Sequence, residues 1–380
     1  MRTRFVISSG NSMSSNDGHR ADEIGIGTCR RENIGHTTVL LHEAIEQLGI
    51  QSGDTVVDAT LGGAGHATAI AKLLGKKGVL IGMDLDKEAI ERARIALKSF
   101  SKPMGLASAG RATKSADSGR ATKSADSGRA TKSADSGRAT KSADSPVDGP
   151  KIHLVEANFR NLLSELAHLG VAHIDKALFD LGWSGYQLAA GRGFSFLKDE
   201  PLMMTYSASP GPNAFTASTI VNEWGEESIA DVIFGWGEER YARRIAKKIV
   251  ERRASAPFKT SRELAEAIKE CVPPQYRYGR IHPATRTFQA LRIAVNDELG
   301  ALKEGIAGAW RNLAKDGRIA VITFHSIEDR EVKRLLVKWE QSGEGKRITH
   351  SPIRASAEEI KSNPRARSAK LRVIEKTISI

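Results

Sequence analysis

Apolar positions follow two alternating periods over residues 36–100. His36–Leu48 has apolar residues three and four apart, which predicts a helix. Thr55–Ala59 is a short β-branched run and predicts a strand, and Gly65–Leu74 opens a helix. Gly78–Asp84 then reads as a strand and Lys87–Leu97 as a helix. The alternation resumes with strand Ile152–Val155, helix Phe159–His168 and strand Ala177–Leu181. Strands separated by helices are joined by crossovers rather than hairpins. This order therefore implies a parallel sheet covered on both faces, with right-handed connections.

From about Gln187 to Val295 the period stays helical, over Thr216–Trp224, Ser228–Phe234, Glu238–Arg253, Ser261–Glu270 and Thr285–Ala301. After Leu299 come a helix to Leu313, a turn at Lys315-Asp316-Gly317 and a strand Arg318–Phe324. The expected organisation is an α/β sheet domain of residues 35–186 and 296–380, with an all-helical domain, 187–295, inserted into it. Residues 1–34 are polar, lack the apolar core of a signal peptide, and read as a disordered tail.

Residues 102–150 break the pattern. The nonapeptide Arg-Ala-Thr-Lys-Ser-Ala-Asp-Ser-Gly starts at Arg111, Arg120 and Arg129, and at Arg138 without its final glycine. It has no large apolar residue, so it cannot bury enough surface to offset chain entropy. We read it as a disordered insertion, the alternative being a flexible arm that touches RNA. The chain carries +12 in all; each copy contributes one Arg, one Lys and one Asp, so the four account for +4 and leave +8. An excess of cations attracts polyanions by releasing counterions. No apolar run approaches the roughly 20 residues of a membrane span. Cys29 and Cys271 form neither a disulfide framework nor a zinc site. These features predict a reduced, cytoplasmic protein. They leave oligomeric state open and show no metal-ligand cluster.

Candidate chemistry begins at Val56-Val57-Asp58-Ala59-Thr60-Leu61-Gly62-Gly63-Ala64-Gly65-His66, a strand, a glycine-rich turn and a helix start. Such a turn brings backbone and helix N–H groups close to a ligand. Asp84 ends the next strand, where an acid accepts ribose hydroxyls. The dinucleotide spacing fails, because the run from Gly63 reads Gly, Ala, Gly, His, Ala, Thr. Asp58 suits a cationic ligand such as S-adenosylmethionine better than a phosphate. A nicotinamide-dependent oxidoreductase is therefore the weaker reading.

Seven further segments carry a resemblance. They are His36-Thr37-Thr38-Val39-Leu40-Leu41, Phe179-Asp180-Leu181-Gly182, Arg192-Gly193-Phe194-Ser195-Phe196, Gly237-Glu238-Glu239-Arg240, His282-Pro283-Ala284-Thr285-Arg286-Thr287-Phe288-Gln289-Ala290-Leu291-Arg292, Phe324-His325-Ser326-Ile327-Glu328-Asp329-Arg330 and Asn363-Pro364-Arg365-Ala366-Arg367-Ser368. Together, from about Gly35 to Glu375, they resemble the MraW (RsmH) family of ribosomal RNA cytosine-N4 methyltransferases. The resemblance implies a class I S-adenosylmethionine methyltransferase sheet with a helical insertion, acting on the small ribosomal subunit. It implies donor contacts at Ala64, Gly65, His66, Asp84, Phe159, Asp180 and Gln187.

Three departures stand out, one of them Trp183-Ser184-Gly185-Tyr186 in place of the usual Val-Ser-Ser-Pro. Ala64 replaces the usual glycine, which its Cβ tolerates only at negative φ. Pro201-Leu202-Met203-Met204-Thr205-Tyr206 stands where the family has Pro-Leu-Asp-Met-Arg-Met, losing an Asp and an Arg. That loss motivates the alternative of a catalytically weakened RNA-binding or ribosome-assembly factor on the same fold.

A cytosine amine is a weak nucleophile, so the site must aim it and accept its proton. Asp180, at a strand's carboxyl end, is the candidate catalytic acid for the donor amine or the target amine. Arg286 and Arg292 are candidate RNA contacts, with Phe288 and Leu291 read as core. Arg243 and Lys247, in the basic run Arg240–Arg253, are candidate phosphate contacts. His325, Ser326 and Asp329 are sequence neighbours rather than a nucleophile elbow with distant partners, so they do not make a hydrolase. We read Phe324-His325-Ser326 as a strand end lining the RNA cleft.

Overall fold

In the computed structural model the described residues are 37–100, 149–182, 191–207, 211 and 214–379. The expected tail 1–34 and nearly all of the 102–150 insertion lie outside them, as does Gln187. The chain forms two compact units, one of Gly185–Glu298 and one of His36–Ser184 with Leu299–Ile380.

The second unit starts with α1 (Leu41–Leu48), β1 (Thr55–Asp58), α2 (Gly65–Leu74), β2 (Val79–Asp84), α3 (Lys87–Ala96), β3 (Lys151–Glu156), α4 (Leu162–His168) and β4 (Ile174–Asp180). The helical unit holds α5 (Ala217–Glu223), α6 (Glu226–Gly237), α7 (Ala242–Arg253), α8 (Ser261–Cys271), α9 (Pro274–Arg277) and α10 (Thr285–Asn296). The sheet unit then resumes with α11 (Glu298–Asn312), β5 (Leu313–Thr323), α12 (Ser326–Gln341), β6 (Gly345–Arg347), α13 (Ala357–Ser362) and β7 (Lys370–Lys376).

The seven strands lie in the order β3-β2-β1-β4-β5-β7-β6. The first five are parallel, and β7 runs antiparallel to both β5 and β6. Successive strand residues point to opposite faces, so each strand feeds two cores. Val56, Leu80, Leu178 and Ala320 pack with Leu48, Ile70, Leu74 and Ile90 on one face. Val57, Ile81, Phe179 and Val321 pack with Leu162, Leu166, Ile306 and Leu336 on the other. Burial on both sides explains why these strands read as continuous apolar runs. Strand order reverses between β1 and β4, and ligands of open α/β sheets bind beyond the carboxyl ends at such a point.

Three expected helices are shorter or split, each at a non-glycine residue of positive φ. Leu40 (φ 51°) delays α1, Glu238 (φ 50°) separates α6 from α7, and Asp297 (φ 45°) separates α10 from α11. The turn at Lys315-Asp316-Gly317 is a register shift within β5, with Asp316 at φ 63°. Phe100 and Gly149, which flank the repeats, abut: a Cβ on Gly149 would lie 2.1 Å from the Phe100 carbonyl oxygen. No helix among the described residues is long and apolar enough to cross a membrane.

Candidate active site

Parallel strands deliver their last residues to one edge, and three of those residues are aspartates. Asp58 ends β1, Asp84 ends β2 and Asp180 ends β4. Asp58 is wholly buried; its Oδ1 accepts the Thr60 N–H at 3.2 Å, and its Oδ2 has no hydrogen-bond partner. Burial, reinforced by the charge of Asp84, pushes its carboxyl up to about 7. Asp180 is raised well above the carboxylate range by burial and by the charges of Asp58 and Glu328, with Arg365 opposing. Its Oδ2 lies 3.6 Å from His66 Nδ1, while its Oδ1 is buried with no hydrogen-bond partner. Its N–H donates to Thr60 Oγ1 at 2.7 Å, which ties the ends of β1 and β4 together.

Asp84 accepts backbone N–H groups from Gly62 and Asp86, each at 2.9 Å. The glycine loop is thereby fixed to the end of β2. Gly62 has φ 49° and Ala64 φ 62°. The expectation of a negative φ at Ala64 is corrected: its buried Cβ sits in the left-handed region, where an L-residue is strained by roughly 1–2 kcal/mol. Gly65 starts α2, and a Cβ there would fall 1.8 Å from Thr38 Oγ1. The Thr38 side chain thus favours glycine at that helix start. Phe159 lies just past β3, half-buried and edge-on to Phe179 with ring centroids 5.8 Å apart.

Beyond β5, His325 caps α12 by accepting the Glu328 N–H, and its Nε2 lies 3.0 Å from Glu328 Oε1. Glu328 is buried and accepts the Phe324 N–H at 2.9 Å. Asp329 binds Lys370 at 2.8 Å and Arg372 at 2.6 Å on β7. Residues 324–330 therefore build a turn and anchor a strand, which accounts for their pattern without a hydrolase. Glu328 and Arg365 act electrostatically on Asp180, a role missing from the sequence-derived site. Both belong to segments that carry the resemblance; only the topology brings them to Asp180.

In the helical unit the RNA candidates fare unequally. Arg243 and Lys247 are exposed on α7, with Lys247 3.8 Å from Glu251. Arg286 is half-buried and donates to the Glu238 carbonyl at 3.1 Å, closing the end of α6. Arg292 is corrected: it is 8% exposed and pairs with Glu298 at 2.9 Å, so its charge is already neutralised inside the unit. Glu298 also accepts the Tyr206 hydroxyl at 2.7 Å. Phe288 is core, edge-on to Phe196, on which His282 stacks at 4.3 Å. The Met203–Tyr206 departure is built into the fold. Asn296 bonds both the Met204 carbonyl and the Tyr206 N–H, each at 2.8 Å.

The profile of the MraW methylase family matches residues 33–118 and 134–377. The ribosomal RNA small subunit methyltransferase H of Brevibacillus brevis is 39% identical over 357 residues, 90% of this chain and 98% of that one. The proteins of the same name from Symbiobacterium thermophilum and Clostridioides difficile are each 38% identical, covering 96% and 98% of their own lengths and 90% of this chain. A crystal structure described as a putative rRNA-methylase from Clostridium thermocellum aligns with 89% of this chain and 94% of its own, at 12% identity and TM-score 0.38. This chain belongs to the MraW methylase family.

The sheet of this MraW methylase is the mixed seven-stranded sheet described above, with helices on both faces, and its methyl donor is S-adenosylmethionine. The residues fit that donor. Carboxylate oxygens left unsatisfied in a buried setting call for a cation, and the donor carries an ammonium and a sulfonium.

Proposed function

We propose that this MraW methylase methylates the N4 amine of a cytidine in 16S RNA of the small ribosomal subunit, in the cytoplasm. The observation that carries the reading is the pair Asp58 and Asp180. They are two carboxyls at the sheet's switch point, Asp58 fully buried and Asp180 partly so, each with a buried oxygen lacking a hydrogen-bond partner. The relatives' shared name supplies the RNA.

Ala64, Gly65 and His66 line the glycine loop, Asp84 accepts the ribose hydroxyls, Phe159 flanks the adenine, and Gln187 completes the donor contacts. When bound, S-adenosylmethionine supplies an electrophilic methyl group. The amine must lose a proton as its new bond forms. Asp180 Oδ1 is available to accept it, and a raised pKa makes that oxygen a stronger base than an exposed carboxylate. His66 lies 3.6 Å from the other oxygen. Arg286, Arg243 and Lys247 hold RNA phosphates. Arg292 acts from inside the helical unit by holding Glu298.

The test is transfer of labelled methyl from S-adenosylmethionine to small subunits lacking their own modification, followed by nucleoside analysis. The expected product is N4-methylated cytidine, abolished in Asp84→Ala and lowered by about two orders of magnitude or more in Asp180→Asn. Donor binding without transfer would sink the enzymatic reading and leave a binding factor, with the Met203–Tyr206 departure as its cause.

A further inference from the structure

The segment Gly237-Glu238-Glu239-Arg240 lies in the helical unit and is not among the donor contacts that the resemblance implies. Glu239 is fully buried; it accepts the Tyr241 N–H at 2.8 Å and the Tyr276 hydroxyl. That anchorage sets Tyr276 against Tyr241, ring centroids 4.9 Å apart at 68°. The exposed Arg240 guanidinium lies over both rings, 4.9 Å from the Tyr241 centroid and 4.8 Å from that of Tyr276. A buried acid thus positions two aromatics, and both aromatics hold one guanidinium at their faces.

The surroundings are basic. Arg243, Arg244 and Lys247 follow at helical spacing along α7, all exposed. Among the described residues Arg243 and Arg244 have no carboxylate partner, whereas Lys247 pairs with Glu251 and Lys248 with Glu270. Tyr278, just after α9, is 79% exposed, and Arg280 is exposed beside it. Bare lysines and arginines would fit any polyanion. A guanidinium plane backed by aromatics fits a flat, π-bearing partner, and a row of cations leading from it fits the phosphates on either side.

We propose that Arg240, supported by Tyr241, Tyr276 and Glu239, is a stacking platform for an unpaired base of the substrate RNA, with Arg243, Arg244 and Lys247 gripping the adjoining backbone. This rests on the RNA-methylation reading and adds the element that recognises a single-stranded segment.

The experiment measures binding of a short unstructured oligoribonucleotide by fluorescence anisotropy across a salt series. Arg240→Lys keeps the charge and loses the plane, so affinity is expected to fall roughly tenfold with an unchanged salt slope. Arg243→Gln is expected to weaken binding and reduce the slope of log K against log salt by about one. Lys346→Gln, an exposed cation on β6, is expected to bind like the parent. Parent-like affinity in Arg240→Lys, equal weakening in Lys346→Gln, or no binding by the parent would each overturn the platform. Methyl transfer by the parent, assayed separately, decides the underlying reading without bearing on that ratio.

Discussion

Asp58 has an ordinary carboxyl pKa of 3.8 in the unfolded chain and one of about 7 in the fold. The folded protein therefore binds this proton more tightly. The contribution to stability is fully present below the unfolded value and is lost as pH rises through about 7. Asp58→Asn removes the ionisation. Calorimetry without donor is expected to find the variant gaining stability over the parent as pH rises from 4 to 8. Titration at pH 8 should show its donor affinity weaker by roughly tenfold or more, the worth of a charge-assisted hydrogen bond. A stability difference that does not change with pH would refute the account. Ala64 poses a milder conflict. Glycine there relieves the left-handed strain but loses a buried methyl, effects of about 1 kcal/mol each. Ala64→Gly should consequently melt close to the parent, whereas the β-branched Ala64→Val should lose roughly 2 kcal/mol or more by chemical denaturation. Asp58 was legible from sequence because it directly precedes a glycine turn. Glu328 and Arg365 were not, because their effect on Asp180 exists only once β5 and the chain before β7 have come together.

Helix and strand types followed from period, and most bounds fell within a residue or two. The clearest miss has a physical origin. Asp297 interrupts the expected helix Thr285–Ala301 with no glycine or proline beside it, so local propensity carries no stop signal there. Tertiary bonds supply it: Asn296 turns aside to bind Met204 and Tyr206. The join between α12 and β7 shows the same dependence on long-range partners. Burial raises the Asp329 carboxyl, but its bonds to Arg372 and Lys370 outweigh that and hold it below its ordinary value. Its contribution is thus present above pH 3.8 and lost as pH falls below it. Asp329→Ala strands Arg372, itself buried, without its counter-ion. The expected loss is about 3 kcal/mol in urea unfolding at pH 7; a loss below 1 kcal/mol would mean that β7 is held by its strand neighbours alone.

The change of period near Gln187, and its reversal after Leu299, is the sequence signal for a helical segment between two α/β segments. Strand order was not readable. The last strand, β7, inserts between β5 and the earlier β6, and no local pattern encodes that. Nor did the sequence reveal that Phe100 and Gly149 meet. Because the chain departs and returns at one point, replacing residues 102–147 by a short turn should preserve donor affinity and the melting temperature to within a few degrees. Titration and thermal unfolding of that deletion check this; loss of the fold would mean the repeats hold it together. For any chain joining two such fixed ends, the closure entropy grows only with the logarithm of its length. One more nonapeptide changes that term by about 0.2 kcal/mol, far below what a stable fold registers. Copy number is then nearly invisible to folding, and the gene can gain or lose whole repeats while the enzyme on either side stays the same.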